Sequence, residues 1–176
     1  STILSFLLRD DVYDDERLKA DEEALRRFYY NRGYADFTVI SAFGELDEAT
    51  NEYTVTITVE EGERYRFGDV SIENSIDGVD PSALNSLIET RSGDTYNATE
   101  VEDTIIALTE YVAGLGYAFA EVTPRGDRDF ENRTIRVVYA IDQGARTYIE
   151  RIEIRGNVRT RDYVIRREFD VTEGDA

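Results

Sequence analysis

Hydrophobic residues along the chain follow two different spacings. An apolar residue recurs every three to four positions over residues 101–115, which predicts one buried stripe on a helix. Apolar and polar residues alternate over residues 53–59 and 134–141, which predicts strands with one buried face and one wet face. Helices and strands of these kinds cover each other's apolar faces, so the pattern predicts an α+β fold.

The chain also repeats itself along its length. Residues 13–35 align without a gap with residues 96–118, 83 positions later, and both segments end in Gly-Tyr-Ala. Two further alignments match residues 61–74 to residues 143–157 and residues 80–94 to residues 161–175. A fixed period of this length predicts a tandem array of one structural unit.

Each unit is predicted to run strand, helix, helix, strand, strand. Asp80 and Pro81 mark the start of a first helix, because Asp caps free N–H groups and Pro lacks an N–H that would go unpaired there. Either Asn97 or Thr99 caps the second helix, and Thr99 stands at capping-box spacing from Glu102. The two strands that follow are predicted to form a hairpin.

The unit divides the chain into three parts. We expect residues 1–64 to hold a second helix and a hairpin, residues 65–146 a complete repeat, and residues 147–176 a first strand and helix. The chain contains no Met, and we interpret it as an excised fragment. Because its two ends complement each other, exchange of ends between two copies is a further hypothesis.

The Gly-Tyr-Ala sequence is interpreted as a structural joint. A glycine in the left-handed conformation ends a helix without a Cβ clash, and the next two residues would fix the helix end to the sheet. The joint residues are Gly33, Tyr34 and Ala35 in one copy and Gly116, Tyr117 and Ala118 in the other.

Composition excludes several classes of function. The net charge is −18, with 38 acidic and 20 basic residues, which disfavours binding to nucleic acid or to an anionic membrane. No His and no Cys is present, so the usual general base, metal ligand and thiol nucleophile are missing. Acidic clusters such as residues 10–16 and 127–131 lack the pattern of a calcium loop and are interpreted as solvated charge. We therefore predict no catalytic residues, no metal and no cofactor.

These motifs in this order resemble POTRA repeats. The resemblance is carried by LRRFYYNRGYADF, by VEEGERYRFGDV and by RIEIRGNVRTRDYVIRREF. It is strongest to the periplasmic repeats of the proteins that assemble β-barrels into the outer membrane of Gram-negative bacteria. The three stretches look like part of the third repeat, all of the fourth and the start of the fifth, while residues 1–12 do not match clearly. The resemblance implies a three-stranded mixed sheet packed on two antiparallel helices.

The resemblance also implies a binding function in the periplasm. Repeats of this family guide unfolded outer-membrane proteins and dock accessory lipoproteins, and a barrel absent from this chain would hold the full-length protein in the membrane. The proposed mechanism is β-augmentation, in which an extended client adds to a sheet edge. The implied edge residues are Asp36, Phe37, Thr38, Val39, Ile40, Ser41 and Ala42. A second, weaker edge comprises Phe119, Ala120, Glu121, Val122 and Thr123, which Pro124 is expected to end.

One segment departs from the general acidity. Residues 145–168 contain seven Arg and four acidic residues. The candidates for contact with an acidic partner are Arg159, Arg161, Arg166 and Arg167. Two other functions remain open: a POTRA array of a related translocation or secretion transporter, and a structural spacer that touches no client.

Overall fold

The computed structural model describes the backbone of residues 2–8, 15–144, 146–154 and 163–170, and the side chains of residues 2–5 and 15–144. The elements, in chain order, are β1 (Thr2–Leu8), α1 (Asp15–Tyr30), β2 (Thr38–Asp47), β3 (Glu52–Glu60), β4 (Arg66–Asn74), α2 (Pro81–Asn85), α3 (Ala98–Gly114), β5 (Glu121–Asp129), β6 (Thr134–Asp142), β7 (Arg146–Ile154) and β8 (Tyr163–Asp170).

The chain divides into two compact units. Unit 1 comprises Ser1–Val70, Glu89–Asp103 and Gly126–Val137, and unit 2 comprises Ser71–Ile88, Thr104–Arg125 and Val138–Ala176. Both units therefore draw on widely separated parts of the chain.

The first sheet has the strand order β1-β3-β2, and both outer strands run antiparallel to β3. Alternation in β3 was read correctly from the sequence, because Val55, Ile57 and Val59 are all buried. Together with Phe37 they form a core against which α1 packs Leu18, Leu25, Tyr29 and Tyr30. The Tyr29 and Phe37 rings stack with centroids 4.2 Å apart, which fixes the end of α1 to the start of β2.

The second sheet has the strand order β4-β6-β5. Two backbone bonds show that β4 and β6 run parallel: Arg66 N donates to Arg133 O, and Ser75 N donates to Ile141 O farther along both strands. The four-residue turn between β5 and β6 makes that pair an antiparallel hairpin. The sheet is therefore mixed, as the family resemblance implied.

Both helices that accompany the second sheet begin at caps. Asp80 Oδ1 accepts from Ser82 N at 3.0 Å, with Pro81 in the first turn of α2. Asn97 Oδ1 accepts from Glu100 N at 3.1 Å, so Asn97 rather than Thr99 caps α3. The stripe predicted on α3 is centred on Leu108 and Val112, which are fully buried, while its last member, Leu115, is 50% exposed.

Two elements differ from the sequence predictions. A strand, β1, occupies the part of residues 1–64 for which only a helix and a hairpin were expected. The free edge of β3 explains this strand, because β1 pairs along it and Leu4 packs on the buried cluster.

The second difference is β8, which lies where the first helix of the last repeat was predicted. Its backbone groups pair with β7 in an antiparallel hairpin, with Ile165 opposite Ile152. Pairing with the adjacent strand satisfies the backbone groups of β8.

Candidate functional site

The edge strand β2 is the first candidate site. Asp36 and Phe37 immediately precede β2, and Thr38–Ala42 are its first five residues. One side of β2 pairs with β3, and no strand of the described residues pairs with the other side. Its outward N–H and C=O groups can accept an extended polypeptide as an additional strand.

A β-bulge shapes this edge. Val39 lies opposite Val59 and Ser41 opposite Thr58, so Ile40 is the extra residue of β2. Ile40 is 52% exposed, and Phe43, which shares the outer sheet face with Thr56, is 50% exposed. The edge therefore offers apolar side chains beside its free backbone groups.

The second candidate edge, β5, differs from the prediction. Ala120 is buried and Phe119 is 53% exposed, and both precede the strand. Pro124 does not end the strand, because β5 continues to Asp129. A proline inside an outer strand must direct its missing N–H position away from the neighbouring strand, so the outer side of β5 lacks one donor.

Charged side chains further distinguish β5 from β2. Arg125 Nη2 lies 3.0 Å from Glu73 Oε1, and Asp127 Oδ2 lies 2.8 Å from Arg136 Nη2. An edge strand with a proline and alternating charges is a poor template for another strand. Of the two edges, β2 has fewer of the features that oppose strand addition.

The Gly-Tyr-Ala residues lie at the ends of α1 and α3. Gly33 and Gly116 have φ values of +95° and +108°. Tyr34 N donates to Tyr29 O and Tyr117 N donates to Val112 O, each at 3.1 Å, which is the bonding of a Schellman helix end. The two joints thus have the same backbone geometry.

A cluster of polar contacts around Asp36, just before β2, was not predicted from the sequence. Tyr65 is buried, and its Oη donates to Asp36 Oδ2 at 2.7 Å. Arg128 Nε lies 2.9 Å from Asp36 Oδ1. The hydrogen bond to Asp36, followed by burial, raises the pKa of the Tyr65 hydroxyl, so this group remains a donor. All three residues belong to unit 1.

A second set of polar contacts in unit 1 joins α1 to the start of α3. Asn31 Oδ1 accepts from both Thr99 N and Thr99 Oγ1 at 3.0 Å. Arg27 Nη1 lies 3.0 Å from Glu102 Oε2. Thr99 and Glu102 have the spacing of a capping box but do not form one. The Thr99 side chain contacts Asn31, and the Glu102 side chain contacts Arg27.

One sequence signal could have revealed these contacts. At the 83-residue shift, Arg27, Asn31 and Asp36 fall on Glu110, Gly114 and Phe119. The residues that hold the joint structure are the same in the two copies, whereas the residues that make the polar contacts of unit 1 differ. Differences between aligned copies thus mark contacts that are specific to one copy.

The basic candidate residues lie outside the part of the chain whose side chains the structure describes. Arg159 and Arg161 lie outside the described residues, and Arg166 and Arg167 are in β8, where only the backbone is described. Within the described ranges, no group of three or more acidic side chains lies close enough to hold a metal ion. No helix in those ranges is long and apolar enough to cross a membrane.

The fold defines a tandem α+β repeat protein with an outer sheet edge that is unpaired among the described residues. The sequence profile of the POTRA family, described as "Surface antigen variable number repeat", matches residues 3–62 and 65–144. The chain belongs to this family.

Two outer-membrane protein assembly factors are similar to this chain in sequence. The chain is 31% identical over 167 residues to "Outer membrane protein assembly factor BamA" of Neisseria meningitidis serogroup B, covering 95% of this chain and 21% of that protein. It is 31% identical over 180 residues to a "Putative outer membrane protein assembly factor" of Treponema pallidum, covering 99% of this chain and 21% of that protein. The chain spans about a fifth of the length of these curated relatives.

Solved structures show the same fold. The crystal structure of Haemophilus influenzae BamA POTRA3-5 matches with a TM-score of 0.67 and 24% identity, covering 77% of this chain and 53% of that one. BamA from Haemophilus ducreyi lacking POTRA domains 1-3 matches with a TM-score of 0.60 and 16% identity, covering 78% of this chain and 25% of that one.

Proposed function

We propose that this chain is a periplasmic, non-enzymatic part of a factor that assembles β-barrel proteins into the outer membrane. Its membership of the POTRA family and the names of its curated relatives support this role. Its clients would be unfolded outer-membrane proteins, and accessory lipoproteins would dock on the same repeats. The full-length protein would be held in the membrane by a barrel.

The observation that carries the proposal is the unpaired outer side of β2. Each backbone hydrogen bond to a client strand contributes about 0.5–1.5 kcal/mol net, and ordering the peptide offsets much of the sum. We therefore expect weak binding, with a Kd on the order of 0.1–1 mM. Backbone pairing tolerates many client sequences, which suits a factor that serves many barrel proteins.

Ile40 and Phe43 would add side-chain contacts to this pairing. Both side chains are about half exposed. Ile40 is the bulged residue of β2, and Phe43 lies on the outer face of the sheet. A client strand with apolar residues on one face would cover them, and strands of membrane barrels carry such a face. Client preference would therefore rest on alternating apolar residues rather than on one defined sequence.

The proposal is tested by placing a charge on the edge. Ile40→Lys should lower the affinity for a barrel-strand peptide about three- to tenfold, because lysine on an edge opposes strand addition. Ile106→Lys is the matched control, since Ile106 on α3 is exposed to 54% and Ile40 to 52%. An equal loss of affinity in both variants, measured by fluorescence anisotropy, would argue against binding at β2.

Peptides that lack selected N–H groups give an independent test. In an added strand, alternate residues direct their N–H groups toward β2. N-methylation of that alternate set should abolish binding, whereas methylation of the other set should leave the affinity unchanged. Equal affinities for both methylated peptides would exclude strand addition.

A spacer function is the second candidate, favoured by the polar contacts of unit 1. Asn31, Asp36 and Tyr65 join parts of the chain that are distant in sequence. A spacer would hold accessory subunits at fixed positions and would bind no peptide.

A POTRA array of a related translocation or secretion transporter would share this fold. In each case the basic residues Arg159, Arg161, Arg166 and Arg167 are proposed to face an acidic partner.

A further inference from the structure

We propose that Arg128 is a positioning residue that holds the start of the edge strand β2 without contacting a client. Arg128 lies near the end of β5, whereas the strand it would hold belongs to the first sheet. This inference rests on the proposed function, because it assigns Arg128 a part in client binding at β2.

The carboxylate of Asp36 is the anchor point. Its Oδ1 lies 2.9 Å from Arg128 Nε, and its Oδ2 accepts from the buried Tyr65 Oη at 2.7 Å. Arg128 Nη2 also donates to Ala35 O at 3.4 Å. Two successive residues before β2 are thus bound by one guanidinium, whose fork geometry allows both contacts at once.

The opposite side of the same segment is fixed to the core. Phe37 is buried, its N donates to Tyr34 O at 3.1 Å, and its ring stacks on Tyr29. The backbone just after β3 also lies against this segment, since a Cβ at Gly62 would stand 3.2 Å from Asp36 Cβ. Residues 35–37 are therefore held both by contacts with the core and by contacts with Arg128.

This anchoring matters because, within the described part of the chain, β2 has only one neighbouring strand. Thr38 and Val39 pair with Glu60 and Val59 of β3 and lie between the anchored residues and the bulge at Ile40, so the anchor would limit fraying of this short paired stretch. A strand end that frays must be ordered again when a client adds to it, which lowers affinity. Arg128 would raise affinity by removing that cost.

The second copy of the repeat lacks this device. Phe119 occupies the position of Asp36 at the 83-residue shift, so no carboxylate precedes β5 there. The anchor is therefore specific to the edge strand that contains no proline.

Hydrogen exchange provides the deciding test. Arg128→Ala should speed amide exchange at residues 37–39 about two- to fivefold, the effect of losing a partly exposed charged contact. Arg125→Ala is the matched control, because Arg125 lies on the same strand and forms its ion pair with Glu73 rather than with Asp36. The control should leave exchange at residues 37–39 unchanged.

Peptide affinity and rescue separate positioning from general stability. Affinity for a barrel-strand peptide should fall two- to fivefold in Arg128→Ala and not in Arg125→Ala, at equal thermal stability of the two variants. Arg128→Lys should be intermediate, since an ammonium keeps the charge beside Asp36 but lacks the fork. Unchanged exchange at residues 37–39 in Arg128→Ala, or an equal change in Arg125→Ala, would overturn the inference.

The two proposals fail in different ways. If the unaltered chain binds no peptide, the proposed function is wrong, and the exchange comparison alone still decides whether Arg128 anchors β2. If the peptide binds and Arg128→Ala changes neither exchange nor affinity, the binding proposal stands and the anchor is wrong.

Discussion

Gly33 and Gly116 occupy the same position of the repeat, yet their surroundings differ. Both have positive φ, so any other residue is strained at either site. At Gly33 a Cβ would stand 2.8 Å from Arg64 Cγ and 2.9 Å from Tyr65 O, whereas at Gly116 nothing lies within 4 Å. The first glycine is thus needed for both its conformation and its lack of a side chain.

This difference gives a prediction at the scale of single residues. Gly116→Ala should cost about 1–2 kcal/mol of unfolding free energy from left-handed strain alone. Gly33→Ala should cost about 2–4 kcal/mol, because overpacking against the Tyr65 backbone adds to the strain. Urea denaturation of the two variants checks this order, and equal costs would contradict the close approach at Gly33.

Residue roles could be predicted where the cause is local. The Asp80 cap, the proline beside it and the two helix-ending glycines follow from backbone chemistry within a few residues. The roles of Asn31 and Tyr65 could not be predicted in this way, because their partners lie 68 and 29 positions away. Only the fold brings those partners together.

Among the elements, β2 and β5 have the same place in their sheets but different edges. Each is an outer strand of a three-stranded sheet. β2 has a bulge and exposed apolar residues, while β5 has Pro124 and paired charges. The two strands therefore share a position in their sheets and differ in the sequence of the exposed edge.

Replacing the proline tests this account of β5. Pro124→Val restores an N–H group on the outer side of the strand, so β5 should gain peptide binding that the unaltered strand lacks. New chemical-shift changes at residues 121–129 on addition of peptide would show the gain. If these amides remain unaffected, the alternating charges rather than the proline protect this edge.

Elements with clear periodicity were predicted well, and context-dependent ones were not. α3, β3 and β6 each bury the face that the sequence pattern indicated. β1 and β8 were missed because each is a short segment whose pairing depends on which strand edge is available. Periodicity over so few residues does not separate a strand from a helix.

At the scale of the whole molecule, the repeat in the sequence was the feature that predicted most of the fold. The repeat predicted the α+β units before any contact was known, and the family match over residues 3–62 and 65–144 agrees with that fold. The net charge of −18 disfavours binding to nucleic acid. Client binding at β2 is the central claim that follows from this architecture.

A titration followed by two-dimensional NMR tests that claim most directly. The isotope-labelled chain would be mixed with an unfolded peptide from a barrel strand, up to a concentration on the order of 1 mM, near the upper end of the expected Kd. The account predicts shift changes concentrated at residues 36–47, with slower exchange of the outward amides of β2. Saturable changes elsewhere, or none at β2, would contradict it and favour the spacer function.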